Sequence, residues 1–420
     1  MDKIRIHGGH SLSGSIKISG SKNSSLPILA ATLLTQEQCV VHDVPDLSDT
    51  HYMLQILMHL GAQVERASGT VSVTADKAES VAPYDIVRKM RASVCVLGPL
   101  LGRCKEATVS LPGGCIIGDR PIDLHLKGFE ALGAAVRVES GNIKIFAPKL
   151  TGAAISMQGK FGPTVLGTDN IMMAAVLADG LTVIEGAAQE PEVVDLANFL
   201  NEMGAKIEGA GTQRIIIEGV RTLHGAEHQV IPDRIEAGTF LVAGAISGEG
   251  VTLKRVKPEH VRSVTDALAK CGFPLEIADN EISIAPNGDA RALEIKTEPY
   301  PGFPTDMQAQ MCALLSTSHG TSVVTENIFP QRYMHVAELK RMGAQMRLEG
   351  ATAVIDGVDR LFGAPVMASD LRASAALVLA GLKAEGITEV SRVYHIDRGY
   401  ERLDEKLSEL GAHIERVNTA

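Results

Sequence analysis

The chain has 420 residues, of which 45% are hydrophobic and 21% are charged, and this composition is typical of a globular protein with two or more domains. Its formal net charge of -10 argues against sequence-independent nucleic-acid binding, but anionic small substrates stay open because a few arginines in a cleft can dominate the local field. The start, MDKIRIHGGH, has no apolar run of a signal peptide, and no apolar stretch approaches the roughly 20 residues of a spanning helix.

Six similar stretches recur along the chain: HLGAQVER, ALGAAVRVE, EMGAKIEG, KCGFPLEI, RMGAQMRLE and ELGAHIERV. Their glycines are Gly61, Gly133, Gly204, Gly272, Gly343 and Gly411, one about every 70 residues. This period is longer than that of the common solenoid repeats, which indicates a compact subdomain in each repeat.

Each of these glycines follows an amphipathic helix, as in YERLDEKLSEL before Gly411, and an alternating strand comes next. Glycine at this place is the usual left-handed cap of a helix C-terminus. A strand such as LTVIEGA precedes the amphipathic helix, and a second helix begins earlier in each repeat. The segments of that second helix are SKNSSLPILAATLL, YDIVRKMRASVCVLGPLL, VLGTDNIMMAAVLA, PDRIEAGTFLVAGAI, FPTDMQAQMCALLS and SDLRASAALVLAGL.

The second helices are apolar on most faces, so we expect them to be buried with sheets wrapped outside them. The repeat therefore reads strand, helix, strand, helix and two strands, which predicts an α/β fold. Six repeats exceed one core, and three plus three in two domains is the expected division. No Pro/Gly/Ser-rich linker marks the boundary, and HGAEHQVIPDR, residues 224–234, is the best candidate.

The six cysteines show no CxxC or Cys/His spacing, which argues against a zinc site, and free thiols fit a reducing cytoplasm. Most have apolar neighbours and are expected in the core. Cys115 differs, because in LPGGCIIGDRPIDLH it follows two glycines and precedes Arg120. A nearby cation lowers the pKa of a thiol, so Cys115 is a candidate nucleophile or proton donor, and an incidental cysteine in a plain turn is the alternative.

Charged residues collect at two recurring positions, the start of the buried helix and the loop before the amphipathic helix. The first set is Lys22, Arg88, Arg91, Asp233, Arg234, Glu236, Asp306, Asp370 and Arg372, and the second is Arg120, Glu190, Glu192, Arg332 and Arg398. Helix starts favour anions and arginine binds carboxylate or phosphate bidentately, so we expect a ligand with more than one anionic group.

Plainer interpretations remain open for single members of these sets. Asp306 and Asp370 are equally well read as helix N-caps. Arg91 and Arg372 fit structural ion pairs, and Lys22 fits a solvated loop lysine.

Seven segments together resemble the UDP-N-acetylglucosamine 1-carboxyvinyltransferases, a branch of the enolpyruvyl transferase family. They are ISGSKNSSLPIL, YDIVRKMRAS, SLPGGCIIGDRPIDLH, PDRIEAGTF, FPTDMQAQ, DLRASAALVLAG and YHIDRGYERL, and the resemblance covers essentially the whole chain. It implies an inside-out α/β barrel of two domains, each with three βαβαββ repeats. Residues 22–229 would form the domain that carries the Cys115 loop as a lid, 1–21 and 230–420 the other, with the active site in the cleft between them.

The activity that the resemblance implies is transfer of the enolpyruvyl group of phosphoenolpyruvate to the 3'-hydroxyl of UDP-N-acetylglucosamine, with loss of phosphate. It places the reaction at the first committed step of peptidoglycan synthesis. Cys115 would donate the proton and can form a covalent adduct with phosphoenolpyruvate, and Asp306 would be the base. Lys22, Arg120 and Arg398 would hold the phosphate, with Arg332 and Arg372 near the carboxylate; Lys22 and Arg398 thereby count with Cys115 and Asp306 as catalytic.

The remaining residues that the resemblance implies as substrate contacts would line the binding site of the sugar nucleotide. They are Asn23, Arg91, Pro121, Ile122, Asp123, Leu124, Lys160, Phe161, Gly162, Pro163, Ile328 and Asp370. No metal or organic cofactor is expected, and the expected partners are the two small-molecule substrates, without nucleic acid or membrane.

Three rival functions can be separated on the sequence. The sibling transfer to shikimate 3-phosphate is disfavoured by Cys115 and by SKNSS. RNA 3'-phosphate cyclases share the βαβαββ repeat, but the acidic net charge and the absence of their nucleotide-linked histidine argue against them. A non-catalytic repeat scaffold would not explain cations at equivalent helix starts.

Overall fold

The computed structural model describes residues 2–111, 121–286 and 290–418. They divide into two compact units. The N-terminal unit has its described residues in 20–111 and 121–231, and the C-terminal unit has them in 2–19 and 232–418. Among the described residues the chain passes from one unit to the other at 19–20 and at 231–232.

The strands are short and spread over the whole described chain. Up to residue 111 they are β1 (Asp2–His7), β2 (Leu12–Lys17), β3 (Cys39–His42), β4 (Gln63–Ala67), β5 (Thr70–Thr74), β6 (Val81–Ala82) and β7 (Glu106–Ser110). From 121 to 286 they are β8 (Ala135–Glu139), β9 (Asn142–Phe146), β10 (Ala154–Ser156), β11 (Gln158–Gly159), β12 (Gly162–Pro163), β13 (Leu181–Glu185), β14 (Lys206–Glu208), β15 (Arg214–Glu218), β16 (Glu227–Gln229), β17 (Gly248–Lys254), β18 (Leu275–Ala278) and β19 (Glu281–Ile284). From 290 they are β20 (Glu294–Lys296), β21 (Thr321–Thr325), β22 (Gln345–Glu349), β23 (Thr352–Asp356), β24 (Pro365–Met367), β25 (Ile387–Ser391) and β26 (His413–Asn418).

Buried helices and amphipathic helices alternate along the chain, as the repeat predicts. The α-helices are α1 (Lys22–Ala31), α2 (Ser48–His59), α3 (Tyr84–Val87), α4 (Leu97–Cys104), α5 (Asp123–Ala131), α6 (Val165–Ala175), α7 (Pro191–Glu202), α8 (Arg234–Ser247), α9 (Arg262–Lys270), α10 (Gln308–Leu315), α11 (Met334–Arg341), α12 (Leu371–Lys383) and α13 (Leu403–Glu409). Short 3-10 helices are Thr32–Leu34, Arg91–Val96, Pro258–Val261, Thr305–Met307 and Val393–Arg398.

Six four-stranded sheets among the described residues share one strand order, and three of them are each built from a single repeat. In β6-β7-β9-β8 the first two strands are parallel and the later pairs antiparallel, and the orders β10-β13-β15-β14 and β20-β21-β23-β22 repeat this pattern. This topology confirms the predicted α/β fold of βαβαββ repeats, three in each unit, arranged as separate sheets.

Three sheets take one strand from a distant part of the chain. The first repeat starts with β16, giving β16-β3-β5-β4, and the fourth starts with β2, giving β18-β19-β17-β2. The sixth is completed by β1, which lies between β25 and β26 and places His7 opposite both Ile387 and His413.

The buried helices form the interior of each unit. The helices α1, α6, α8, α10 and α12 are buried on nearly all faces, and each unit has one continuous apolar cluster around them. The six repeat glycines all have positive φ, between 92° and 105°, as the cap prediction requires. Within the described part of the chain, no helix is both long enough and apolar enough to cross a membrane.

The second repeat departs from the predicted single helix over residues 84–101. The structure has α3, a break, the 3-10 helix Arg91–Val96 and then α4. The Ser93 hydroxyl donates to the carbonyl oxygens of Val87 (3.1 Å) and Met90 (2.7 Å), and such side-chain bonds compete with a continuous helix. Pro99 falls in the first turn of α4, where its missing N–H costs nothing.

Candidate functional site

A carboxylate held between two arginines forms a buried charge cluster in the C-terminal unit. Asp306 lies in the 3-10 helix that leads into α10, Arg332 precedes α11, and Arg372 lies in the first turn of α12. Arg332 Nη1 donates to Asp306 Oδ1 at 2.7 Å, and Arg372 Nη2 donates to Oδ2 at 3.0 Å. The structure thus brings together three of the predicted site residues from three different repeat elements.

The electrostatics of this cluster keep Asp306 ionised. Burial by itself would raise the pKa of the Asp306 carboxyl, but the charges and hydrogen bonds of Arg372 and Arg332 outweigh it and hold the pKa well below 3.8. Both guanidinium groups are almost fully buried. A carboxylate so strongly paired is a weak base until a second anion takes over the arginine donors.

Arg372 has donors to spare for such an anion. Its Nε and Nη1 are buried and make no hydrogen bond to any residue that the structure describes. The guanidinium carbon lies 5.1 Å from the centre of the Tyr400 ring, and the Tyr400 hydroxyl is fixed by Thr239 at 3.0 Å and by Gln310 at 3.1 Å. A planar guanidinium fixed in this way, with two unsatisfied donors, is suited to a planar anion such as a carboxylate.

The other predicted residues of this unit lie around the cluster in different roles. Asp370 caps α12 by accepting from the backbone N–H groups of Arg372 (2.9 Å) and Ala373 (3.1 Å), so the N-cap interpretation is confirmed for it. Arg398, half-buried, ends the 3-10 helix Val393–Arg398. Ile328 lies in the loop before Arg332 and donates its N–H to Glu326 Oε1 at 2.9 Å.

Glu326 is a positioning residue that the sequence did not reveal. It is fully buried and accepts hydrogen bonds from Thr297, Thr305 and the backbone of the loop that follows it. These bonds tie the loop that carries Arg332 to the helix start that carries Asp306. A glutamate at a strand end has no local signal for this role, because its partners come from other segments.

In the N-terminal unit, Lys22 and Asn23 open α1, which Ser21 caps by accepting from the N–H of Ser24. The Lys22 ammonium lies 3.0 Å from Asp49 Oδ2, and Asp49 is a nearly buried residue of the first turn of α2. Lys22 is therefore held in place and is not the solvated loop lysine of the plainer interpretation. Asp49 was missed, since in the sequence it is one more acidic residue at a helix start.

Arg91 lies close to the start of α5. His125 of α5 is buried, and burial together with the Arg91 charge lowers the pKa of its imidazole to about 4, so it is neutral. Its Nδ1 lies 3.0 Å from Asn170 Nδ2, and Asn170 also bonds to the backbone of Val94 and Gly98. This network joins the Arg91 helix to the stretch Pro121–Leu124, in which Ile122 and Leu124 are half-buried while Pro121 and Asp123 are exposed.

The four residues Lys160–Pro163 form one compact feature. Strands β11 and β12 pair as a hairpin in which Gln158 faces Pro163, and Lys160 and Phe161 occupy its two-residue turn. Gly162 has φ 110°, a value that favours glycine. The Lys160 ammonium lies 5.1 Å from the centre of the exposed Phe161 ring, so the turn presents a cation and an aromatic face to solvent.

Cys115 and Arg120 lie outside the described residues. The five thiols that the structure describes are free, at Cys39, Cys95, Cys104, Cys271 and Cys312, and all but Cys104 are buried. Burial raises the pKa of each of them, to about 11 for Cys271. They are therefore poor nucleophiles at neutral pH.

Glu190 and Glu192 of the third repeat affect the pKa of a buried acid, Asp169. Burial, with Glu190 and Glu192 adding to it, raises the pKa of Asp169 well above 3.8. The Asp169 Oδ1 atom makes no hydrogen bond within the described part of the chain. These acids are not part of either cluster above.

Comparisons with known proteins agree with one another. The model of the family described as EPSP synthase (3-phosphoshikimate 1-carboxyvinyltransferase) matches residues 6–407. UDP-N-acetylglucosamine 1-carboxyvinyltransferases of Akkermansia muciniphila and Methylacidiphilum infernorum are 61% and 60% identical over 420 and 417 residues, with 99% of each chain covered in both comparisons.

A solved structure agrees with these sequence matches. The enolpyruvyl transferase NikO of Streptomyces tendae superposes with a TM-score of 0.90 at 26% identity, covering 100% of this chain and 99% of that one. The separate sheets around buried helices are thus a fold that this enzyme shares. The chain belongs to the EPSP synthase family of carboxyvinyltransferases.

Proposed function

We propose that this protein transfers the enolpyruvyl group of phosphoenolpyruvate to the 3'-hydroxyl of UDP-N-acetylglucosamine and releases phosphate. The curated relatives at 61% and 60% identity carry the name of this activity. The structural observation that carries the proposal is the buried Arg372, which lies beside Asp306 and Arg332 and has two donors that make no hydrogen bond to any described residue. This arrangement suits a carboxylate-bearing substrate with a base at hand.

The reaction is an addition followed by an elimination. The sugar hydroxyl oxygen forms a bond to C2 of phosphoenolpyruvate, its proton goes to Asp306, and C3 takes a proton from Cys115. In the second half C3 loses a proton, the double bond re-forms, and phosphate leaves with the electrons of its bond to C2. In the addition the base thus acts at the sugar hydroxyl oxygen and the acid at C3, so the two use separate side chains.

The arginine pair has two roles in this scheme. When the substrate carboxylate accepts from Nε and Nη1 of Arg372, it shares the positive charge that now stabilises the Asp306 carboxylate. The pKa of Asp306 then rises and the carboxylate becomes a better base. Substrate binding thus creates the base that the unliganded cluster lacks.

The remaining predicted residues divide between the other substrate groups. Lys22, Arg120 and Arg398 would hold the phosphate, which needs several cations because it carries more than one charge. Asn23, Arg91, Ile328, Asp370 and the stretches 121–124 and 160–163 would contact the sugar nucleotide. The exposed Lys160–Phe161 turn offers a cation for a diphosphate and a ring for a base.

We place the reaction in the cytoplasm, at the first committed step of peptidoglycan synthesis. Its product would then serve cell-wall biogenesis, cell shape and cell division. On this proposal an epoxide phosphonate of the fosfomycin type, which mimics phosphoenolpyruvate, would inhibit the protein by alkylating Cys115.

Phosphate release tests the proposal directly. The purified protein should release phosphate from phosphoenolpyruvate only with UDP-N-acetylglucosamine, and mass spectrometry should show the nucleotide sugar gaining an enolpyruvyl ether without added metal. Shikimate 3-phosphate, or RNA 3'-phosphate ends with a nucleoside triphosphate, should not replace the sugar nucleotide. Release that follows shikimate 3-phosphate would assign the sibling activity instead.

Alkylation tests the role of the thiol. The epoxide phosphonate should label Cys115 and not the five thiols whose pKa burial raises, and the sugar nucleotide should speed the labelling. Cys115→Asp should resist labelling and keep some activity, because a carboxyl can also carry a proton. A label found chiefly on another cysteine would remove Cys115 from the mechanism.

A further inference from the structure

The residues next to the passages at 19–20 and 231–232 lie side by side within the N-terminal unit. The N–H of Ser21, the cap of α1, donates to the carbonyl oxygen of Ile231 at 2.7 Å. Lys22 and Asn23 follow immediately. A displacement of segment 228–231 is therefore transmitted to Lys22 and Asn23 through the hydrogen bond between Ser21 and Ile231 and the backbone that follows Ser21.

A single buried carboxylate joins both passages. Asp195 of α7 is 3% exposed, and its Oδ2 accepts from the Ser24 hydroxyl and from the N–H of Ile231 at 3.3 Å. Ser24 and Asp195 are 171 residues apart in the sequence. The other oxygen, Oδ1, lies 3.1 Å from His228 Nε2. Asp195 thus contacts the first turn of α1 and the segment that leaves the unit.

His228 is enclosed by acids on both ring nitrogens. Its Nδ1 lies 2.8 Å from Glu202 Oε2, while Nε2 faces Asp195, so both nitrogens must be protonated for both bonds to form. Burial by itself would lower the pKa of His228, but the two carboxylates outweigh it and raise the pKa above 6.5. The two carboxylates therefore favour the imidazolium form of His228.

The other groups around His228 are consistent with its imidazolium form. On the adjoining strand β3, Val41 is opposite His228, Cys39 lies on the same buried face, and His42 pairs with Glu227 on the exposed face. From α7 the Phe199 ring lies 5.5 Å away. The charged group at the start of α1 is Lys22, which is paired with Asp49 of α2.

We propose that Asp195 and His228 are positioning residues that hold Lys22 and Asn23 against segment 228–231, and that the positive charge of His228 strengthens this hold. The inference rests on the proposed function, because it assigns Lys22 and Asn23 to substrate binding. Neither Asp195 nor His228 is asked to touch a substrate. Their effect passes through Ser24, Ile231 and the start of α1.

Steady-state kinetics of three variants test the proposal. Asp195→Asn should raise the KM for phosphoenolpyruvate about tenfold at about pH 6, and His228→Gln about threefold, with kcat within about twofold of the wild type. His42→Gln is the matched control, since it removes a histidine–glutamate pair on the neighbouring strand without touching α1. Its KM should stay within about twofold of the wild type.

The pH profile separates positioning from a merely structural role. The KM ratio of His228→Gln to wild type should fall from about three towards one between about pH 6 and about pH 9, because the wild type loses its imidazolium over that range. A ratio cancels the titration of the substrates themselves. A ratio that stays constant with pH, or a loss of kcat with KM unchanged, would overturn the proposal.

Hydrogen exchange without substrates keeps the two proposals distinguishable. Amides of residues 22–26 should exchange faster in Asp195→Asn than in wild type at the same pH, while those of α2 should not change. Equal exchange in the α1 amides would overturn the positioning role even if the enzyme is active. Absent phosphate release by the wild type would instead overturn the proposed function.

Discussion

The two charge clusters lie at the starts of buried helices, one in each unit. They are built from different kinds of charged residue pair. In the C-terminal unit Asp306 lies between Arg332 and Arg372, and no member titrates near neutral pH. In the N-terminal unit the start of α1 is held by the pair Lys22–Asp49 and by Asp195 with His228. An imidazolium can lose its charge in the physiological range, and a guanidinium cannot.

The difference teaches that one repeat geometry supports two kinds of electrostatic control. The ionisation of a carboxylate between two arginines does not change near neutral pH, and only an incoming anion can change its basicity. A carboxylate paired with a histidine responds to the solution as well. Variants of each cluster show where each kind of control operates.

The largest effect should come from Asp306→Asn, which keeps the shape of the side chain but removes the proton acceptor. We expect kcat to fall roughly 10²–10⁴-fold, while the affinity for the sugar nucleotide changes less. Turnover by phosphate release and affinity by calorimetry would measure the two. Asp356→Asn is the control, because Asp356 is an exposed strand residue bonded to Thr321 and Arg347. Near-normal turnover of Asp306→Asn would make it a structural acid.

Arg372→Lys should lower kcat/KM for phosphoenolpyruvate about 100-fold, because an ammonium cannot reproduce the planar donors. Arg372→Lys keeps the positive charge beside Asp306 but removes the hydrogen bond from Arg372 Nη2, so the pKa of Asp306 should rise slightly and the acid limb of the pH–rate profile should move to slightly higher pH. Stability follows the same sign: the ionised Asp306 stabilises the fold above its unfolded pKa of about 3.9, and this contribution is lost as the pH falls.

Arg347→Lys provides the comparison for that variant. Arg347 is exposed and pairs with Glu349 and Asp356. Its kinetics and acid limb should match the wild type. An unshifted acid limb in Arg372→Lys would show that the hydrogen bond from Arg372 Nη2 does not contribute to the low pKa of Asp306.

Asp49→Asn should raise the KM for phosphoenolpyruvate about tenfold, since it removes the charge that fixes the Lys22 ammonium at 3.0 Å. Asp85→Asn, which breaks the exposed pair with Arg88, should leave KM unchanged. Initial-rate measurements at saturating sugar nucleotide would compare the two. Equal effects of both variants would contradict a specific role for Asp49.

The smallest effect is on stability. Because the folded-state pKa of His228 is raised, its charge stabilises the fold below the unfolded pKa of 6.5, and this contribution is lost as the pH rises through the folded value. Urea unfolding should show His228→Gln at most about 1–2 kcal/mol less stable than wild type in acid, with the difference shrinking at alkaline pH. A difference that grows with pH would reverse the assigned charge.

The repeat, its helix caps and the burial of one helix in each repeat could be predicted from the amino-acid pattern. These features depend on residues close together in the chain: Gly411 adopts positive φ because a helix ends there, and α12 is buried because it is apolar all round. The cap role of Asp370 was likewise predictable, because its partners are the backbone N–H groups two and three residues further along the chain. The break between α3 and α4 was not readable, since it depends on what the Ser93 hydroxyl bonds to.

Only the tertiary structure decided which distant segments complete a sheet or a charge cluster. Strands β1, β2 and β16 fill sheets whose other strands lie far along the chain, and no local pattern says which edge each strand will pair with. The same holds for Asp49, Glu326, Asp195 and His228, which look like ordinary polar residues in the sequence. Their roles arise because burying a charged or hydrogen-bonding group is costly without a partner, and the fold supplies that partner from another repeat element or, for Ser24 and Asp195, from 171 residues away.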